Sequence, residues 1–209
     1  MRKYLMAGLL ALLAWTTTPA SAANIVIQEC KDGKAGCYLI SIYGEIKDGD
    51  AKNFTDLVSK KSVTSAVVYL NSPGGVFEEG IAIARLVHQR NFDTYVGDGN
   101  KCMSMCAIIW LAGNIRYYTG KSTIGFHGIF TAFKDKQSNR IKGSKLLAYN
   151  AGNALVGAFY SQLGLSDKAI ETLTNPAPDE AFYLNTKNIG ELGINATRWG
   201  APASSPTLG

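Results

Sequence analysis

The ten residues 66–75, Ala-Val-Val-Tyr-Leu-Asn-Ser-Pro-Gly-Gly, constrain the fold more than any other part of this chain. Their first half is a nearly continuous apolar run, the pattern of a strand buried on both faces of a parallel sheet. Parallel strands need a crossover, and residues 77–89 supply one, with Ile81, Ile83, Ala84 and Val87 on its buried side. In the turn between them, Pro73 fixes one φ angle, while Gly74 and Gly75 let bare backbone N–H groups approach a ligand. Sites in α/β folds gather at such strand ends. The reading is therefore an α/β fold with a binding turn after this strand.

The alternation continues along residues 23–200, which read as one domain. Strands are expected at 25–28, 38–46, 94–96, 116–119 and 123–126. Helices are expected at 51–60, capped by Asp50 and carrying Phe54, Leu57 and Val58, and at 104–111. Beyond His127 the character changes. Residues 133–145 are polar and basic, with Lys134, Lys136, Arg140, Lys142 and Lys145, and read as a solvated face. A long Ala-rich helix at 146–163 and a short one from Ser166, stopped by Asn175-Pro176-Ala177-Pro178, follow. The Pro/Ser-rich residues 201–209 read as a disordered tail.

Residues 1–22 are set aside as a secretory signal. Arg2 and Lys3 precede a short apolar run, a polar break and Ala20-Ser21-Ala22, where a signal peptidase would cut. The mature protein is then expected in the periplasm or outside the cell, with no stable membrane anchor. Of the formal charge of +5, Arg2 and Lys3 account for two, so +3 remains. This mild excess gives no argument for a nucleic-acid partner. All four cysteines follow the signal: Cys30, Cys37, Cys102 and Cys106. An even number in an exported chain favours disulfides. Three pairings are open. Cys30 with Cys37, closing a hairpin turn, is the simplest. Cys102 with Cys106 would then flank Ser104, a tight span that needs the first Cys off the helix. A four-Cys zinc site is the rival, but neither spacing is the usual ligand pair.

Ser104 sits in an apolar, sulfur-rich run at a helix start, where N–H groups and the helix dipole suit an oxyanion. The bland alternative is a helix cap. A nucleophilic Ser needs a base, and the chain has two histidines. His88 falls near the end of the helix at 77–89 and reads as structural or solvent-facing. His127 ends the strand 123–126, where a strand end can present it to Ser104.

Taken in order, Val68 to Gly75, Gly80 and Ala82, Met103-Ser104-Met105, Ala112-Gly113 and Ile124-Gly125-Phe126-His127 resemble the proteolytic subunit of Clp proteases. The resemblance covers roughly residues 38–194 and is nearest to exported relatives with a Cys-x-Ser-x-Cys motif. It implies a ClpP/crotonase-like spiral of ββα units, with Ser104 as nucleophile and His127 as general base. It also implies an oxyanion hole from the N–H groups of Gly75 and Met105, and a homo-oligomeric ring with residues 133–163 as the contact between subunits. The family's acid precedes a Phe-Leu-type strand and a helix ending in Glu-x-Gly. Tyr183-Leu184 and Glu191-Leu192-Gly193 match those elements, but the aligned position is Ala181. Asp179 is the chosen acid, then Glu180, with Asn175 as a neutral substitute. A Ser–Lys arrangement through Lys145, with Lys142 close by, is the alternative to His127.

These readings point to an exported serine peptidase acting on peptides or unfolded segments, bound beside the strand that leads to Gly74-Gly75. No nucleotide motif is present, and no metal or cofactor is called for. The rival from another class is an inactive binding or scaffold protein that keeps the fold. An acyl-CoA enzyme of crotonase type fits less well, since the sequence offers Ser and His where paired carboxylates would be expected.

Overall fold

The computed structural model describes residues 22–31, 34–129, 143–177 and 180–200. The signal segment, most of the basic stretch, Asp179 and the tail from 201 lie outside the described residues. Strands β1 (Asn24–Glu29) and β2 (Cys37–Tyr43) form an antiparallel hairpin closed by the Cys30–Cys37 disulfide, whose Cα atoms are 5.4 Å apart. From β2 onward the main sheet is parallel. Helix α1 (Asp50–Lys60) leads to β3 (Ser65–Asn71), and α2 (Phe77–Gln89) leads to β4 (Asp93–Val96).

The chain then makes a second strand before each crossover. β5 (Lys101–Met103) precedes α3 (Met105–Leu111); β6 (Arg116–Tyr118) is followed by β7 (Thr123–Phe126). Further on come α4 (Gly143–Gln162), α5 (Asp167–Thr174), β8 (Phe182–Tyr183), α6 (Thr186–Glu191) and β9 (Thr197–Arg198). The first strands of the pairs build a six-stranded sheet, β1-β2-β3-β4-β6-β9, and the second strands a three-stranded sheet, β5-β7-β8. β3 joins the small sheet through a Ser72–Cys102 bridge, and the segment after β2 joins the Gly75 turn through an Ile46–Gly75 bridge. This repetition of strand, strand and helix is the expected spiral of ββα units.

Helix α3 is its centre. All seven of its residues are buried, and Trp110 has no exposed surface. Such a helix, apolar on every side, is stable only inside a protein. Its far end is held by Arg116, whose Nε donates to the Leu111 carbonyl, and by Thr94, whose Oγ1 donates to the Trp110 carbonyl at 2.7 Å. Burial lowers the Arg116 guanidinium below its ordinary pKa, and its charge faces the favourable end of the helix dipole.

Two expectations change in detail. The strand expected over 38–46 stops at Tyr43, because Gly44 turns the chain at φ 86° before Ile46 forms its bridge. Asp50 is not the N-cap of α1. Gly49 holds that position, and the buried Asp50 carboxylate accepts from the N–H groups of Lys47 (2.7 Å) and Ala23 (3.2 Å). The first free helix N–H, that of Ala51, donates to Glu79 of α2 instead.

Candidate active site

The site is built where β5 ends. Its last residue, Met103, is followed by Ser104 at φ 55° and ψ −124°, and α3 starts at the next residue. A non-glycine residue in this region costs about 1–3 kcal/mol and persists only where its surroundings enforce it. Those surroundings are the buried helix, the small sheet, and a Cys102–Cys106 disulfide that spans the elbow with its Cα atoms 5.0 Å apart. Cys102 is on the strand and Cys106 in the first turn of the helix, so the first Cys is off the helix, as so short a bridge requires. With both pairs joined, no thiolate is left for the rival zinc site.

Ser104 occupies the cap position of α3, yet its side chain makes no capping bond. Its hydroxyl is therefore presented at the elbow without being tied to the helix, and the residue is partly exposed to solvent. The capping explanation for a Ser at this place fails on that geometry.

β5 and β7 run parallel, with Met103 beside Gly125, and the Ser104 N–H donates to the Gly125 carbonyl at 2.9 Å. His127 follows two residues later, half-buried at the end of β7. The topology thus brings both residues to the same end of neighbouring strands. The His127 Nδ1 lies 2.8 Å from the Gly128 carbonyl. A carbonyl only accepts, so in a neutral ring this contact favours the proton on Nδ1 and leaves the lone pair on Nε2. His88 stands elsewhere, exposed on α2 with its ring edge-on to Phe159.

The Pro-Gly-Gly turn packs directly onto the elbow. A Cβ placed on Gly74, whose φ is 94°, would come within 2.7 Å of both the Met103 carbonyl oxygen and Ser104 Cβ, and 2.9 Å of the Met105 nitrogen. The Ile46–Gly75 bridge uses the Gly74 carbonyl and the Val76 N–H, at 2.8 and 2.9 Å, so Gly75's own N–H points to the opposite side. Among the described residues, no protein acceptor takes the N–H of Gly75 or of Met105.

Around the acid the picture is mixed. β7 pairs antiparallel with β8, Phe126 opposite Phe182, so one further step of that register sets His127 opposite Ala181. Glu180 is exposed, and its N–H donates to Ala177. Glu180 and Asn175 both line an open cleft of about 470 Å³ with Glu171, Thr172, Pro176 and Phe182. Asp179 lies outside the described residues, as does Lys142. Lys145 falls in α4, with its side chain outside the description. One expectation is overturned: an extended peptide cannot add beside β3, because β2 and β4 already pair with its two edges.

Sequence reasoning also missed Asn153 of α4, which bonds the main chain just after His127: Ile129 N–H donates to its Oδ1 at 2.9 Å. No local signal marks such a residue, since an Asn inside a helix reads as a surface position.

Residues 37–150 match the Clp protease family. Among solved structures the chain is similar to a mutant of the 1510-N membrane-bound stomatin-specific protease, at 15% identity and TM-score 0.56, over 76% of this chain and 77% of that one. It is also similar to a ClpP1 mutant from Listeria monocytogenes, at 18% identity and TM-score 0.56, over 77% and 91%. No curated protein matches it in sequence. The two structural likenesses bear on the fold, and they agree with the spiral traced above.

Proposed function

We propose that this chain, which belongs to the Clp protease family, is an exported serine peptidase that cleaves peptides or unfolded protein segments without ATP. The observation that carries the reading is the elbow: an uncapped Ser104 in a strained backbone, hydrogen-bonded to the strand that ends in His127. In the proposed reaction His127 Nε2 removes the Ser104 proton as Oγ attacks the scissile carbonyl. The N–H groups of Gly75 and Met105 receive the negative charge on the carbonyl oxygen. The protonated imidazole then gives its proton to the leaving amine. Water, deprotonated by the same nitrogen, hydrolyses the acyl-enzyme. A carboxylate from Asp179 or Glu180 would stabilise the imidazolium, and a homo-oligomeric ring would enclose the site.

A fluorophosphonate probe tests this directly. Wild-type mature protein is expected to be labelled, Ser104→Ala not at all, and His127→Ala roughly 10⁴–10⁶ times more slowly. Absence of wild-type labelling under both oxidising and reducing conditions would refute the peptidase reading. A folded, unlabelled protein would instead be the non-catalytic binding or scaffold member of the fold.

A further inference from the structure

We infer that Asn153 is a positioning residue for His127, acting through the main chain of residues 128–129; this rests on the peptidase reading above. Its side chain forms a two-point contact with the main chain of one residue. The Ile129 N–H donates to Oδ1 at 2.9 Å, and Nδ2 donates to the Ile129 carbonyl at 3.4 Å. An amide side chain offers a donor and an acceptor side by side, so it pairs with a backbone much as a neighbouring strand does. Ile129 is where such help is needed, because β7 ends at Phe126 and, among the described residues, no strand pairs with the chain beyond it.

The contact is a close one. A Cβ on Gly152, which is buried, would come within 3.0 Å of the Ile129 Cγ2 atom, so α4 lies against this residue with glycine making the room. On the other flank, Gly128 N–H donates to the Pro176 carbonyl at 2.9 Å. The Gly128 carbonyl is thereby fixed from both sides: by Pro176 through its own residue's N–H, and by Asn153 through the next residue. That carbonyl is the group 2.8 Å from His127 Nδ1. Asn153 therefore sets the direction of an acceptor that sets the tautomer and the ring orientation of the base. Positioning of this kind matters because displacement by about 1 Å at a reacting centre costs on the order of 100-fold in rate.

The test combines labelling with a readout that does not need activity. The chain has two histidines, so ¹⁵N-histidine NMR, with His88→Gln to assign the signals, reports the His127 tautomer alone. Wild type should show neutral His127 protonated on Nδ1. In Asn153→Ala the Nδ1–H population should fall, and the fluorophosphonate rate should drop roughly 10–100-fold while the binding constant stays unchanged. Asn153→Asp, which keeps the acceptor for Ile129 N–H, should recover most of the tautomer preference and rate. An unchanged tautomer in Asn153→Ala, with the protein folded, would overturn the inference. Wild type that shows the tautomer shift on substitution but takes no label would instead overturn the peptidase reading.

Discussion

Replacing Gly74 by alanine is the sharpest perturbation of the elbow, because the added methyl group has to occupy space already filled by Ser104, the proposed nucleophile, and its neighbours. Two costs can be separated. At φ 94° an L-residue is strained in its backbone, worth about 1–2 kcal/mol. The methyl carbon then meets the Met103 carbonyl and Ser104 Cβ at 2.7 Å and the Met105 nitrogen at 2.9 Å. These are backbone or Cβ atoms of a buried elbow held by a disulfide, so they cannot turn aside as a flexible side chain would. Overpacking of this kind costs about 1–3 kcal/mol. The sum is about 2–5 kcal/mol, a large part of the 5–15 kcal/mol typical of a domain but short of unfolding it. For a domain of this size the melting temperature should fall by about 5–15 °C.

Activity should suffer more than stability. Pushing the Met105 N–H or Ser104 away from the oxyanion position removes a donor of the kind worth about 10²–10³ in rate. The matched control is Gly99→Ala. Its φ of 74° is equally left-handed, but nothing lies within 4 Å of the added carbon. It should lose only about 1–2 kcal/mol for the backbone and be labelled by a fluorophosphonate at the wild-type rate. Circular dichroism confirms that each variant is folded before labelling is timed. Wild-type labelling by Gly74→Ala, or an equal loss in Gly99→Ala, would refute the argument that Gly74 is needed for close approach to the nucleophile.

Two other outcomes follow from the same geometry. Intact-mass analysis after alkylation without reductant should find no modified thiol, and removing the Cys30–Cys37 or Cys102–Cys106 pair should cost about 2–2.5 kcal/mol each by loop entropy. Only the second removal should also slow labelling, since only that bridge spans Ser104. Thr119 is buried with its Oγ1 unsatisfied among the described residues, so Thr119→Val should be neutral or stabilising by about 1 kcal/mol in a thermal melt.

Elements whose signal is local were legible in the sequence. The strand at 65–71 and the helix at 77–89 follow from an apolar run, a turn and a helical period, all contained within a few residues. Ser104 at a helix start and His127 at a strand end were also readable locally, but the roles proposed for them came from resemblance, because nothing local says that β5 and β7 are neighbours. What was hidden depends on register between distant strands. The sequence shows aromatic residues scattered along it, yet Tyr43, Tyr69, Tyr95, Trp199 and Tyr117 meet ring to ring, at 5.4–6.0 Å, across one face of the main sheet. The Asp50 cap was misread for the same reason. A buried carboxylate goes to whichever N–H groups the fold brings, and Glu79 reached the helix first. Binding beside β3 failed because a central strand and an edge strand look alike until the sheet order is known.

The two halves of the site are held by different means, and this shapes what variation in the family can do. The half that carries Ser104, the proposed nucleophile, is fixed covalently and by the core: a disulfide, a helix buried on every side, and a glycine turn packed to within contact of Ser104. The half that carries His127, the proposed base, is fixed by hydrogen bonds to its neighbour Gly128 and, through residues 128–129, to the carbonyl of Pro176 and to Asn153 of α4. A neutral carbonyl on Nδ1 sets the tautomer but brings no negative charge to the imidazolium, so it performs only one of the two tasks of a triad acid. The register gives the place opposite His127 to Ala181, so under the proposed mechanism the second task falls to a carboxylate from Asp179 or Glu180. Substitutions among the groups that hold His127 should therefore lower the labelling rate by degrees, roughly 10–100-fold for Asn153→Ala, and those that crowd the elbow by about 10²–10³.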